Sequence, residues 1–418
     1  MPSPNRPSIL VENGSHGMHN VGDIAMLQVA VRRLRARFPG HAIDVVTGHA
    51  PRLQAELPES SPVCWRGGWL SAFGLPDPRP LDAWVARRPV VGHALDRLGG
   101  KFGWPSRRGR NPVAFDRRLE EAALVVASGG GYIADDFAQW TTPVLETLAA
   151  AQRHGIPTAL LGQGLGPVEP GSKFHALAAA TVGAADLVLL REAAAGPALL
   201  RAWGVPEARM RVTGDDALVA AAAHRTERIG DRIGVNVRAA RYTGIGEEAL
   251  GAIGLAVDRI ATEHGAAIGG IPISRVSVES DHAVLRSILG GHPNFDTSPE
   301  PTTAEGVMEA AARCRVVVST SYHAAVFALA CGIPAVCVVA TPYYGAKMGG
   351  LAAQFGPGCL LVPVEGDGFA ERLHDALRTA WGRAPEVRDV LRAEADRRIA
   401  DAEAAYDALI PLVVGRTP

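Results

Sequence analysis

The feature that most constrains the fold is a repeating order. Short apolar runs alternate with amphipathic stretches along almost the whole chain. Strands are expected at Ser8–Glu12, Ala42–Thr47, Leu124–Ser128, Thr158–Gly162, Asp186–Arg191 and Met210–Thr213. Helices are expected between them, over about 23–37, 141–154, 172–184 and 193–203. The first helix carries Ile24, Leu27, Val31, Leu34 and Phe38 on one stripe, the spacing of a buried helical face. Strand and helix in strict alternation imply a parallel sheet covered on both sides.

The series breaks near 220–231, where Ala220–Ala223 gives way to the charged stretch His224–Arg232. It then restarts, with strands at Ile233–Arg238, Ala266–Ile271, Arg315–Thr320, Ala335–Val339 and Cys359–Val362 and helices near 246–264, 279–290, 303–313, 323–331 and 344–355. The tail, Phe369–Leu409, reads as helical with alternating charge. With 418 residues the chain exceeds one ordinary core. The expectation is two doubly wound Rossmann-like domains facing across a cleft, 1–225 and 226–385, followed by a helical tail over 386–418.

One segment departs from the alternation. Residues 60–111 are rich in Pro and Gly and carry Trp65, Trp69, Trp84 and Trp104. Seven basic residues stand between Arg87 and Arg110 against one acid, Asp96. This reads either as a solvated insertion with its own small core, or as a lid, or as a patch for an anionic acceptor, lipid-linked or free, with at most peripheral membrane contact through 87–110.

A net charge of −1 gives no general field to recruit nucleic acid, and no nucleic-acid-binding motif accompanies the basic stretch. The N-terminus lacks the apolar core of a signal peptide, and no uninterrupted apolar window is long enough to span a membrane. The five cysteines, Cys64, Cys314, Cys331, Cys337 and Cys359, show no metal spacing and read as reduced, buried thiols of a cytoplasmic protein. No set of residues suggests a bound metal.

Open parallel sheets bind ligands beyond the carboxyl ends of their strands, so the residues that follow each strand carry the functional argument. In the first half these are Asn20 and Asp23, the glycine run Gly129-Gly130-Gly131, Gln163-Gly164, Arg191 and Asp215. Asp23 is the expected N-cap of its helix, and consecutive glycines suggest close backbone approach to a ligand. In the second half they are Arg238 and Arg241, then Ser321-Tyr322-His323 at a helix start, then Tyr344 and Lys347. Cations beside a helix N-terminus form an anion site.

In this order the residues resemble the polysaccharide pyruvyl transferase family. The matching pieces are Asn20-Val21-Gly22-Asp23, Ser128 through Gly131, Gly162 through Pro167, Arg191-Glu192, Gly214-Asp215, and His323 through Gly332-Ile333-Pro334 to Lys347. The family is glycosyltransferase-B-like in fold, which is also the plan that two doubly wound domains with a helical tail resemble. The resemblance implies transfer of the enolpyruvyl group of phosphoenolpyruvate to a saccharide diol, leaving a pyruvate ketal and needing no further cofactor. It implies donor binding by Arg238, Arg241, Ser321, Tyr322, Tyr344 and Lys347. It implies acceptor binding by Asn20, the three glycines, Gln163, Gly164 and Arg191, with His323, Asp23 and Asp215 moving protons or orienting the diol. Where the family often has Arg two residues before this histidine, the chain has Ser321. A nucleotide-sugar glycosyltransferase and a non-catalytic saccharide-binding protein remain the alternatives, since a diphosphate would suit the same anion site.

Overall fold

A computed structural model describes residues 7–14, 16–64, 112–238, 243–275, 281–296, 298 and 301–414. The basic segment 87–110, and Arg241, lie outside the described residues.

The first sheet holds β1 (Ser8–Glu12), β2 (Ala42–Thr47), β3 (Ser61–Cys64), β4 (Ala122–Ala127), β5 (Gly130–Ile133), β6 (Thr158–Leu165), β7 (Leu187–Leu190) and β8 (Met210–Val212). Its order is β3-β2-β1-β4-β6-β7-β8, with β5 beside β6. The second sheet holds β9 (Arg232–Asn236), β10 (Ala267–Gly270), β11 (Cys314–Ser319), β12 (Ala335–Val339) and β13 (Cys359–Pro363), in the order β10-β9-β11-β12-β13. Every strand pairing is parallel. The continuous burial of β1, β6, β7 and β12 follows from helices covering both faces.

One expected loop is a strand. Gly130 and Gly131 lie in β5, paired with an extension of β6 that runs past the expected end at Gly162. None of Gly129, Gly130 and Gly131 has a positive φ, so steric clearance rather than turn geometry selects them. A Cβ on Gly129 would strike Met26, and one on Gly130 would strike the Tyr132 ring.

The helix Tyr322–Ala330 is buried along all nine residues. Alanines make up much of it, which allows close approach on every side. Its cluster includes Val21, Ala25, Met26, Ala217 and Leu218 from the N-terminal half and Val307, Met308 and Val317 from the C-terminal half. One apolar core therefore joins the two sheets' layers, and the helix N-terminus is fixed at their junction.

The last long helix, Phe369–Tyr406, passes without a break over position 386, where the tail was expected to begin. It leaves the second sheet and returns to the first. There Arg33 bonds Asp216 and Glu403, the Tyr406 hydroxyl donates to Asp216 at 2.6 Å, and the Arg33 guanidinium lies 4.9 Å from the Tyr406 ring centre. Asp216 has no exposed side-chain surface, whereas Glu403 is 46% exposed. No helix among the described residues is long and apolar enough to cross a membrane. Cys314, Cys331, Cys337 and Cys359 are buried free thiols.

Removing a partner from a buried ion pair leaves a charge without solvation, whereas exposed pairs contribute little. Asp216→Ala should therefore cost about 3–5 kcal/mol in urea unfolding, and Glu403→Ala at most about 1 kcal/mol.

Candidate active site

The carboxyl ends of six parallel strands converge on a cleft of about 610 Å³ lined from both halves. β1 leads to the helix Val21–Arg37. Its N-cap is Asn20 and not Asp23: the Asn20 side chain accepts from the Gly22 and Asp23 amides at 2.9 and 3.2 Å. With capping already done, the Asp23 carboxylate is left to face the cleft. β9 leads to Arg238, β11 to Ser321, Tyr322 and His323, and β12 to Tyr343, Tyr344 and Lys347.

Arg191, at the end of β7, is the largest fully buried side chain in the described structure, at 1% exposure. Its guanidinium stacks 4.0 Å from the centre of the Tyr322 ring and lies 3.6 Å from Asp215 Oδ2. Nε and Nη1 have no hydrogen-bond partner. A Cβ on Gly164 would come within 2.6 Å of this guanidinium, and one on Gly131 within 2.4 Å of it and 3.0 Å of Lys347 Nζ. Gly131 and Gly164 are glycines because the two cations occupy the room a side chain would need. Arg191 was expected on an acceptor-binding wall opposite the cations. It instead joins the cationic group, because Tyr322 and Lys347 from the second half close over it.

Lys347 Nζ donates to Tyr343 Oη at 3.1 Å, and that hydroxyl donates to the Gly131 carbonyl at 2.7 Å. Burial and then the Arg191 charge push the Lys347 ammonium down to about 7, although Asp23 and Asp215 pull the other way. Burial raises Asp23 to about 6 against the pull of Lys347, Arg191 and Arg238. Burial also raises Asp215 to about 6, against Arg191 and a hydrogen bond from the Ala217 amide. A carboxyl group and an ammonium that both titrate near neutrality in one cleft mark a functional site.

His323 is buried, with Nε2 3.3 Å from Met26 Sδ and 3.7 Å from Asp215 Oδ2. Burial, Arg191 and Lys347 hold it well below the usual histidine range, so the ring is neutral. The near-neutral titration ordinary for histidine does not survive the tertiary setting. Ser321 caps nothing: its hydroxyl is buried without a partner, as is that of Tyr322. Arg238 is held 3.8 Å from Asp281, whose other oxygen accepts from the Ile273 and Ser274 amides and from Asn236.

Four residues expected to touch substrate fall elsewhere. Gln163 has no exposed surface and donates to the Ser128 carbonyl and to Tyr132 Oη. Gly129 packs on Met26, and Gly130 makes room for Tyr132. Asp215 is not among the residues lining this cleft; it lies 3.6 Å from Arg191 Nη1 and 3.7 Å from His323 Nε2. The sequence reading passed over Tyr343, Asp281 and Gly22. Gly22 lies within the motif around Asp23, and a Cβ there would fall 2.0 Å from the His323 ring.

The polysaccharide pyruvyl transferase family model matches residues 20–341. The chain belongs to this family. The matched stretch contains every cleft residue named above except Tyr343, Tyr344 and Lys347. Among solved structures, the chain is similar to a putative UDP-N-acetylglucosamine 2-epimerase from Listeria monocytogenes, at 16% identity and a TM-score of 0.61, covering 99% of this chain and 98% of that one. It is also similar to the UDP-GlcNAc 2-epimerase of Neisseria meningitidis bound to UDP-GlcNAc, at 12% identity and TM-score 0.58, with 98% and 100% covered. A third is Anabaena Alr3699/HepE in complex with UDP, at 13% identity and TM-score 0.56, with 98% and 100% covered. At these identities the likeness is one of fold, which is glycosyltransferase-B-like. No curated protein matches the chain.

The Gly22–His323 contact gives a direct test. Gly22→Ala should cost about 1–3 kcal/mol by overpacking. In a His323→Ala background the same change should cost clearly less, so a double-mutant cycle in urea should show strong coupling.

Proposed function

We propose that this protein transfers the enolpyruvyl group of phosphoenolpyruvate to two hydroxyls of a saccharide, forming a pyruvate ketal and inorganic phosphate. The observation that carries this reading is the excess of buried positive charge. Lys347 and Arg238 line the cleft and Arg191 stands behind Lys347, while the one carboxylate facing the cleft, Asp23, is raised toward neutrality by burial. Such a site gains stability from a compact polyanion.

The residues then divide the chemistry. Asp23 accepts the proton of the first hydroxyl as its oxygen bonds to C2 of the donor. Lys347 delivers a proton to the C3 methylene. The C2–O bond to phosphate then breaks, and its electron pair leaves with the phosphate. The second hydroxyl bonds to C2, its proton returns to Lys347, and the proton on Asp23 passes to solvent. Arg238 and the Ser321 hydroxyl, at the N-terminus of the helix Tyr322–Ala330, suit the donor carboxylate. This arrangement supplies a cationic grip without Arg at position 321. His323, neutral, fills the floor of the cleft and offers a hydrogen bond without adding charge.

The second reading, a nucleotide-sugar transferase, draws on the fold neighbours that hold UDP or UDP-GlcNAc. Thermal unfolding separates the two. Phosphoenolpyruvate at 100 times its Kd should stabilise by about 2.7 kcal/mol. Stabilisation by a uridine, guanosine or cytidine nucleotide, with none from phosphoenolpyruvate, would sink the proposal. No response to any donor favours a non-catalytic binding protein.

The protonation states fix the pH profile. Asp23 must be ionised and Lys347 protonated. Activity, followed as kcat/KM, should therefore rise as pH passes about 6 and fall as it passes about 7. Lys347→Arg should lose the alkaline limb and most of kcat.

A further inference from the structure

Behind the main cleft lies a second chamber of about 300 Å³, lined by Gly164, Gly166, Arg191, Glu192, Ala195 and Ala346. Gly131, Tyr343 and Lys347 border both spaces. The Tyr343–Gly131 hydrogen bond, with Lys347 bonded to the same hydroxyl, forms the partition between them.

The chamber is built for a small oxyanion. Arg191 brings a nearly unexposed guanidinium whose Nε and Nη1 make no hydrogen bond, Nη1 lying 3.6 Å from Asp215 Oδ2. The backbones of Gly131 and Gly164 approach it so closely that any Cβ would collide with it. Lys347 adds a second donor. The one carboxylate in the lining, Glu192, is already occupied: it accepts from the amides of Ala194, Ala195 and Gly196 at 2.6, 2.9 and 2.8 Å. It therefore opposes an incoming anion less than a free carboxylate would. The wall is also small, since Ala195 is half-buried and Ala346 exposed at its edge.

We infer that this chamber is a separate phosphate site, which holds the donor's phosphoryl group between Arg191 and Lys347 and through which inorganic phosphate leaves, while the saccharide occupies the main cleft on the Asp23 side. The assignment to donor and product rests on the pyruvyl-transfer reading. The existence of an oxyanion site does not. Departure on the side of the exposed Ala346 would let phosphate leave without passing the bound acceptor.

The probe is inorganic phosphate, titrated calorimetrically into the full chain, with phosphoenolpyruvate titrated in parallel. Wild-type protein should bind phosphate, and phosphate should compete with phosphoenolpyruvate. Ala346→Trp, at the exposed rim, and Gly164→Ala, against the guanidinium, should each weaken phosphate binding at least tenfold. Ala346→Trp should also lower kcat more than the KM for the acceptor, the signature of obstructed product release. It should melt like the wild type, so the test survives if Gly164→Ala fails to fold. Absence of phosphate binding by the wild type, or unchanged binding in the Ala346→Trp protein, overturns the inference. Variant-sensitive phosphate binding without any phosphoenolpyruvate binding would uphold the chamber and overturn pyruvyl transfer. Phosphoenolpyruvate binding with variant-insensitive phosphate would do the reverse.

Discussion

The Arg191 guanidinium is removed from water with no full-strength ion pair to replace it. Desolvating such an ion costs several kcal/mol after relaxation. A carboxylate about 4 Å away returns roughly 4 kcal/mol at an effective dielectric of about 20, and Asp215 at 3.6 Å is itself buried and penalised. The Tyr322 ring beneath it adds a cation–π contact. The rest of the cleft accommodates this one charge. Two backbones give up their side chains to it, and, after burial, its charge helps to draw Lys347 down to about 7 and to keep His323 from protonating.

This charge is held by the same packing that joins the halves. Tyr322 and His323 begin a helix whose sides are closed by alanine-rich contacts with both sheets' layers. The stacking partner of an N-terminal-half arginine is therefore a C-terminal-half tyrosine. The return of the helix Phe369–Tyr406 to Arg33 and Asp216 binds the halves again on the far side of Asp215. Stability and electrostatics share a scaffold: Asp216 anchors the fold, while its neighbour Asp215 faces the active-site cations.

The clefts also illustrate why one family position does not decide a donor. Ser321 removes a cation from a helix N-terminus but leaves an unpaired hydroxyl there. Positive charge enters from other strands instead, through Arg191 and Arg238. Their charges reach the site because, within each sheet, parallel strands carry their carboxyl ends to one edge.

Much of this was legible in the sequence. Alternating apolar runs determined two parallel sheets, and polar residues after each strand marked Asp23, Arg238, Ser321, His323 and Lys347, because strand ends and helix starts are local patterns. The glycines at 131 and 164 were visible as a signal, but their reason was not. Only the tertiary structure showed that they clear space for cations, that Gln163 is internal, that Asn20 rather than Asp23 caps the helix, and that Arg191 belongs to the cationic group. It alone lowered His323 and Lys347 and raised Asp23. Protonation depends on burial and on charges more than a hundred residues away in the chain, and sequence spacing carries neither.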